Sequence, residues 1–365
     1  TAYEMLRSLV GSEMCIRDSV MRPLMFAAAL AAAALAAPAA ARDLTIVSWG
    51  GAYQDTQRAV YFQPFMQARG IRLLEETWDG GVGVLRAKMQ SGANNWDVVQ
   101  VEGEELLVGC EEGLFERLDW ARIGGRDAYR PDAVHECGVG AIYYSFVLAY
   151  DRARISGEGP KSWADLWDVQ RFPGKRALRR GPKTNLEIAL LADGVPANRV
   201  YAALRTEAGI ERAFAKLDRL RPHLVWWTAG AQPPQLLASG EVAMTSAYNG
   251  RISAANRNEG RNFAIVWTNN LYTIDSWVIM KGSPNLAHAY AFLAFAGQPE
   301  RQAHLPPRIP YGVPAVGVDA LIPDAVKPDL PTSAANIATA IQIDDSFWLE
   351  HIDRLTQRFN AWAAR

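Results

Sequence analysis

Cysteine and histidine are scarce: the 365 residues hold three of the first and five of the second. The histidines (His135, His223, His288, His304, His351) are scattered, and none forms a ligand pair at helical spacing, so no metal site is expected. Charge of one sign is missing too, with 38 basic side chains against 39 acidic. No basic run occurs, which argues against a nucleic-acid partner. The chain has no G-x-S-x-G elbow, no H-E-x-x-H pair, no P-loop and no G-x-G-x-x-G turn. Its adjacent acids, Glu75-Glu76, Glu111-Glu112 and Asp344-Asp345, read as solvated faces rather than catalytic pairs. These absences weigh against an enzyme, and no cofactor is expected. Beyond the N-terminal segment no apolar run reaches the ~20 residues that a membrane span needs.

The N-terminal segment has two parts. Residues 1–20 show no periodicity and are similar to translated sequencing-adaptor text, so Met21 is the expected natural start. From there Arg22 precedes an apolar run, Leu24 to Ala37, which is followed by Pro38 and a small-residue A-x-A at Ala39–Ala41. That order is the chemistry of a secretory signal peptide over 21–41, cleaved near Ala41. Residues 42–365 then keep 35 basic against 36 acidic side chains. They are long enough for two domains at ~100–200 residues each. An exported chain meets oxidising conditions, so Cys110 and Cys137 are expected to pair and close a loop of about 28 residues.

The remaining pattern alternates strands and helices. Strands are expected at Leu44–Ser48, Ile71–Thr77, Trp96–Val101 and Ala141–Tyr150, and helices over Gln54–Arg69, Val82–Gln90 and Glu104–Cys110. Further on, Ser162 with Asp165 three residues later makes a helix start. Phe263–Val266 and Thr273–Met280 read as two separate strands, and Ser283-Pro284 as the opening of a helix that runs to Ala296. The tail from Ser346 to Ala363 carries apolar residues at helical spacing. This spacing predicts an α/β fold built on a mainly parallel sheet, with any ligand at the carboxyl ends of its strands. The stretch LTIVSWGGAYQD (Leu44–Asp55) ends its strand there in a large ring followed by two glycines, a loop suited to close approach of something else. Aromatic residues are plentiful, twelve each of Trp, Tyr and Phe, many of them at strand ends.

LTIVSWGGAYQD, NNWDVVQVEGEEL, SWADLWDVQRFPGKRAL, ASGEVAMTSAYNGR, TIDSWVIMKGSPN and PYGVPA together carry a resemblance. The chain resembles the periplasmic solute-binding proteins of ABC transporters, in the branch that binds spermidine, putrescine and related solutes. The resemblance implies a two-lobed (type II) periplasmic-binding-protein fold with the ligand between the lobes. One lobe is expected to hold 43–147 plus 276–315, the other 148–275 plus 316–365. It implies a periplasmic location, a membrane permease as partner and a monomer. Residue by residue it suggests Trp49, Tyr53, Tyr248 and Tyr311 as aromatic walls and Asp275 as the acid that meets a ligand amine. Glu102 and Gln232 join them as further contacts.

The turn RRGPK (Arg179–Lys183) departs from the branch, which is acidic there. A basic turn repels the far amine of a polyamine and suits a carboxylate or phosphonate, so a zwitterionic amine stands beside a polyamine-like solute as the expected ligand. Two other readings stay open. One is a secreted hydrolase on the same scaffold; the other is a ferric-ion binder, for which Tyr143-Tyr144 is the only adjacent tyrosine pair.

Overall fold

The computed structural model describes residues 42–365, apart from 93 and 156. The adaptor-like leader and the expected signal peptide lie outside the described residues. Strand β1 (Leu44–Ser48) pairs in parallel with β2 (Leu73–Thr77) and with β3 (Val98–Val101). Between β1 and β2 runs α1 (Gly51–Gln57), a π turn (Arg58–Phe62) and α2 (Gln63–Arg69), which Gly70 ends in the left-handed conformation. Helix α3 (Val82–Gln90) precedes β3, and α4 (Gly103–Glu111) follows it. Phe62 and Phe65 of the first helical run pack on Phe292 of a later helix, α10 below. Each such buried ring contributes roughly 1.5–3 kcal/mol.

A second set of strands repeats this design. Strand β5 (Arg176–Arg179) pairs in parallel with β6 (Leu224–Trp227) and β7 (Met244–Tyr248). Its helices are α5 (Trp163–Trp167), α6 (Asn185–Ala192), α7 (Glu207–Leu220), α8 (Gln232–Ser239) and α9 (Asn249–Asn258). Helix α5 starts at the Ser162–Asp165 box, as its sequence predicts.

Two long antiparallel strands, β4 (Gly138–Asp151) and β8 (Phe263–Ile279), run through both sets. The sheet order is β2-β1-β3-β8-β4-β7-β5-β6, with a short β9 (Ile341–Gln342) added to β8. Residues 276–279 of β8 pair with β3, whereas the end of β4 pairs with β7. The sheet is therefore mixed, not mainly parallel, because the two crossing strands run against their neighbours. What the sequence suggests as two strands, 263–266 and 273–280, is one strand of 17 residues. The polar stretch Thr268–Asn270 that hides this continuity is held in place by side chains: Asn270 donates to the carbonyls of Trp267 and Asn336.

Helix α10 (Leu286–Ala296) begins after Asn285 rather than at Ser283-Pro284. The Ser283 hydroxyl and the Asn285 amide instead donate to the two oxygens of Asp97, at 2.6 and 3.0 Å. The final helix α11 (Asp345–Ala363) starts where the Asp344 side chain accepts from Phe347 N. It touches both sets: its start packs on α4, with Asp345 against Gly103, while Trp348 donates to Glu187, Trp362 to Asp218, and Trp226 packs on Phe359.

Cys110 and Cys137 are joined by a disulfide, tying the end of α4 to the entry of β4. Replacing both by alanine is expected to lower stability by about 3 kcal/mol, the chain-entropy value for a loop of this length. Urea unfolding of the two proteins measures it directly.

Candidate functional site

The carboxyl ends of β1, β3 and β5 converge where β4 and β8 cross. A cavity lies there, with about 430 Å³ of unfilled space including its open mouth. Its wall contains Trp49, Tyr53, Glu102, Tyr248, Asp275 and Tyr311, six of the seven residues that the sequence suggests as ligand contacts. Gln232 is not part of it. Its side-chain oxygen accepts from the backbone N–H groups of Thr228 and Ala229, at 2.7 and 3.0 Å, and so shapes the loop that carries Gly230 to the wall.

Tryptophan dominates one side. Trp49 stacks on Trp78 with centroids 5.2 Å apart, and Trp78 is anchored by its Nε1–H to the Gln100 carbonyl. Trp49 Nε1 is buried without a hydrogen-bond partner. Tyr53, Tyr311, Tyr144 and Tyr248 meet edge to face around the opposite side. Such a box presents ring faces to a cation, worth ~1–2 kcal/mol per desolvated contact. Tyr143 and Tyr144 point to opposite faces of β4, as strand alternation requires. Tyr143 donates to Asp132, away from the cavity, so the adjacent pair does not act together.

The charged groups are arranged in layers. One oxygen of Asp275 accepts from the Gln100 amide at 3.1 Å, and among the described residues the buried carboxyl otherwise meets only the Tyr144 hydroxyl, which favours its ionised form. Burial first, and the Glu102 carboxylate second, push the Asp275 carboxyl well above its ordinary range. Glu102, by contrast, is already answered: Arg179 reaches it at 2.7 Å and Lys183 at 2.8 Å, and Lys183 is shared with Glu104. Burial pushes Glu102 up, but the two cations more than offset this and hold it at about 2. The basic turn takes this position because the Asn185 amide donates to the carbonyls of Arg179 and Gly181, folding it over the start of α6.

Arg251, in the first turn of α9, was not apparent from the sequence. Its Nη1 and Nη2 donate to the carbonyls of Gly50 and Trp49, at 2.8 and 3.0 Å, across the cavity mouth. Gly51, at φ +55, has no side chain to block this: a Cβ there would lie 2.9 Å from Arg251 Nη1. Gly51 is thus explained by an arginine that reaches over from the other set of strands, while Gly50, at φ +60, lies against Thr77. Among the described residues Arg251 has no ion pair; besides the two carbonyls its guanidinium meets the Tyr311 hydroxyl and lies over the Tyr53 ring at 5.8 Å. The signal that pointed to it was indirect, a glycine pair with no side-chain reason of its own. Tyr144 and Trp78 also line the wall, and neither is distinguishable in sequence from a core ring.

The sequence model of a family described as "Bacterial extracellular solute-binding protein" matches residues 61–329. The gamma-aminobutyric acid-binding protein of Pseudomonas aeruginosa is 49% identical over 332 residues, 91% of this chain and 94% of that protein. The crystal structure of the PBP MotA from A. tumefaciens B6 in complex with glucopine is 31% identical, with a TM-score of 0.82 over 88% of this chain and 99% of its own. The PBP AttC of Agrobacterium tumefaciens C58, in an open unliganded conformation, is 27% identical over the same shares, with a TM-score of 0.59.

Proposed function

The chain belongs to the bacterial extracellular solute-binding protein family and is the substrate-binding component of an ABC transporter, not an enzyme; from that premise we propose that its solute is a short zwitterionic amino acid with amine and carboxylate at opposite ends, as in 4-aminobutanoate. One observation carries this reading. The cavity wall holds both an acid and a cation that, among the described residues, have no ion-pair partner: Asp275, met only by the Gln100 amide and the Tyr144 hydroxyl, and Arg251, met by two carbonyls and by Tyr311 and Tyr53. A buried charge needs a counter-charge, and a zwitterion supplies both. The ammonium sits against Asp275 inside the tyrosine and tryptophan rings, and the carboxylate turns to Arg251, with Arg179 adding to the positive field.

A diamine answers Asp275 but places its second ammonium near Arg251, an uncompensated repulsion in a desolvated site. The polyamine-like solute suggested by the sequence is therefore the weaker fit. The name of the 49%-identical Pseudomonas relative supports the amino acid. On this reading the two lobes are 43–147 plus 276–315 and 148–275 plus 316–365. The TM-score of 0.82 to MotA in its complex, against 0.59 to open AttC at equal coverage, supports reading the arrangement as a closed one. On this reading the protein works in the periplasm and hands its solute to a membrane permease.

Calorimetry and thermal melting against 4-aminobutanoate, β-alanine, 5-aminopentanoate, an aminophosphonate, putrescine, spermidine, butylamine and butyrate test the proposal. The ω-amino acids are expected to bind and to stabilise by about 2.7 kcal/mol at a hundredfold excess over Kd. Putrescine or spermidine binding where 4-aminobutanoate does not would overturn it.

A further inference from the structure

Behind the cavity, the first set of strands meets the second along a seam where acids outnumber cations. This inference rests on the reading above, that the two parts close on a solute. The first part contributes Glu102, Glu104 and Glu105 from the start of α4, all buried. The second contributes Lys183 and Arg179 from the basic turn, and Asp345, the first residue of α11. Lys183 is used by Glu102 and Glu104, and Arg179 by Glu102. Glu105 is satisfied within its own part by the N–H groups of Gly81 and Glu102.

Asp345 is left over. Its carboxyl lies directly on Gly103, where a Cβ would stand 2.2 Å from Oδ2. Oδ1 is buried and has no hydrogen-bond partner. Gly103 thus makes a seat for a carboxyl group from the other part, at a place where four carboxyls face two cations. Of the other acids nearby, Asp344 pairs with Arg205 and Asp353 faces Arg86; Glu187, also raised by burial to about 7 and with Oε2 unpartnered, accepts on Oε1 from Tyr201 and Trp348 of its own part, so opening changes it less. Asp275 lies in the ligand cavity and answers the solute amine.

We propose that closure of the two parts takes up a proton at Asp345, so that solute capture strengthens as the medium becomes more acidic. In the closed form, burial pushes Asp345 up to about 7, with Lys183 opposing and Glu104 and Glu102 adding to the rise. With the parts separated and the seam wetted, an aspartate titrates near ~3.9. Glu105 is raised as well, to about 8, first by burial and then by Glu102 and Glu104. Its hydrogen-bond partners belong to its own part, so opening changes it less. The sign follows from the raised closed-state value. Closure costs nothing extra below the open-state pKa, costs progressively more as pH climbs toward about 7, and levels off above that.

The experiment is calorimetry with 4-aminobutanoate in buffers of different ionisation enthalpy. The wild-type protein is expected to take up close to one proton per solute at pH 6, and to bind about tenfold more weakly at pH 8 than at pH 6. Asp345→Asn keeps the shape and fixes the uncharged state. It is expected to flatten the profile to within about twofold and to bind more tightly than wild type at pH 8. A variant with the wild-type slope, or a wild-type protein that takes up no proton, overturns the proposal. A second measurement needs no solute: single-molecule energy transfer between dyes on the two parts. Acidification from pH 8 to pH 6 should enrich the closed population more with the wild-type Asp345 than with Asp345→Asn, both measured in an Asp275→Asn background because burial also raises the solute-free Asp275. Failure of 4-aminobutanoate to bind at either pH removes the amino-acid reading alone, and an unchanged closed population then removes the proton-linked clasp.

Discussion

Asp275→Asn is expected to weaken 4-aminobutanoate binding by about a hundredfold or more while leaving the solute-free protein at least as stable as before. Both halves of that result follow from one environment. Burial and the Glu102 carboxylate disfavour a charged Asp275 in the closed form, so without a cation the group gains nothing from ionising. An amide imitates the protonated acid and still meets the Gln100 side chain. With solute present the balance reverses, because the ammonium makes the carboxylate worthwhile. Removing one member of a desolvated, hydrogen-bonded charge pair costs 2–5 kcal/mol by about the usual measure. Calorimetry and thermal melting on the same preparation read the two halves. Unchanged affinity takes Asp275 out of the site, and a much lower melting temperature shows that its main role is to hold Gln100.

Arg251→Met should cost a comparable factor by a different route. It removes the counter-charge for the solute carboxylate and, with it, the two bonds to the Trp49 and Gly50 carbonyls. Single-ended analogues separate these roles. Butylamine, which has no carboxylate, should lose little on Arg251→Met, whereas butyrate should lose little on Asp275→Asn. If butylamine is weakened as much as 4-aminobutanoate, measured by competition, the guanidinium acts only by holding the Trp49 loop in place.

Much of the architecture was legible because it rests on local rules. The Ser162–Asp165 box, the Gly70 stop and the alternation of buried strands with amphipathic helices are all written within a few residues. The short strands β5 and β6 were not, since RALR and LVWW are too brief for a period to show. The continuity of β8 was hidden for another reason: its polar middle is satisfied by contacts from residue 336, far along the chain.

The site divides in the same way. Trp49, Tyr53 and Asp275 stand at strand ends or on a crossing strand, where position alone makes them candidates. Arg251 and Tyr144 reach the cavity only when α9 and β4 are brought against the Trp49 loop, relations over 202 residues for Arg251 and about 95 for Tyr144 that no local pattern encodes. Gln232 shows the reverse case: a polar residue in the right loop whose side chain is consumed by its own backbone.

The two long strands, β4 and β8, carry a mechanical implication. Their pairing is interrupted between Gly140 and Ile142 and again between Phe146 and Leu148, and Tyr144 and Asp275 lie in the short paired length between those irregularities. If the molecule bends at those irregularities, a solute held by Asp275 as proposed would rest on the pivot itself and not only between the tips of the jaws. A displacement of a fraction of an ångström at Asp275 is multiplied along each lever arm. The proposed amino acid would in this way set the spacing of outer surfaces that it never touches, the surfaces a membrane permease would meet.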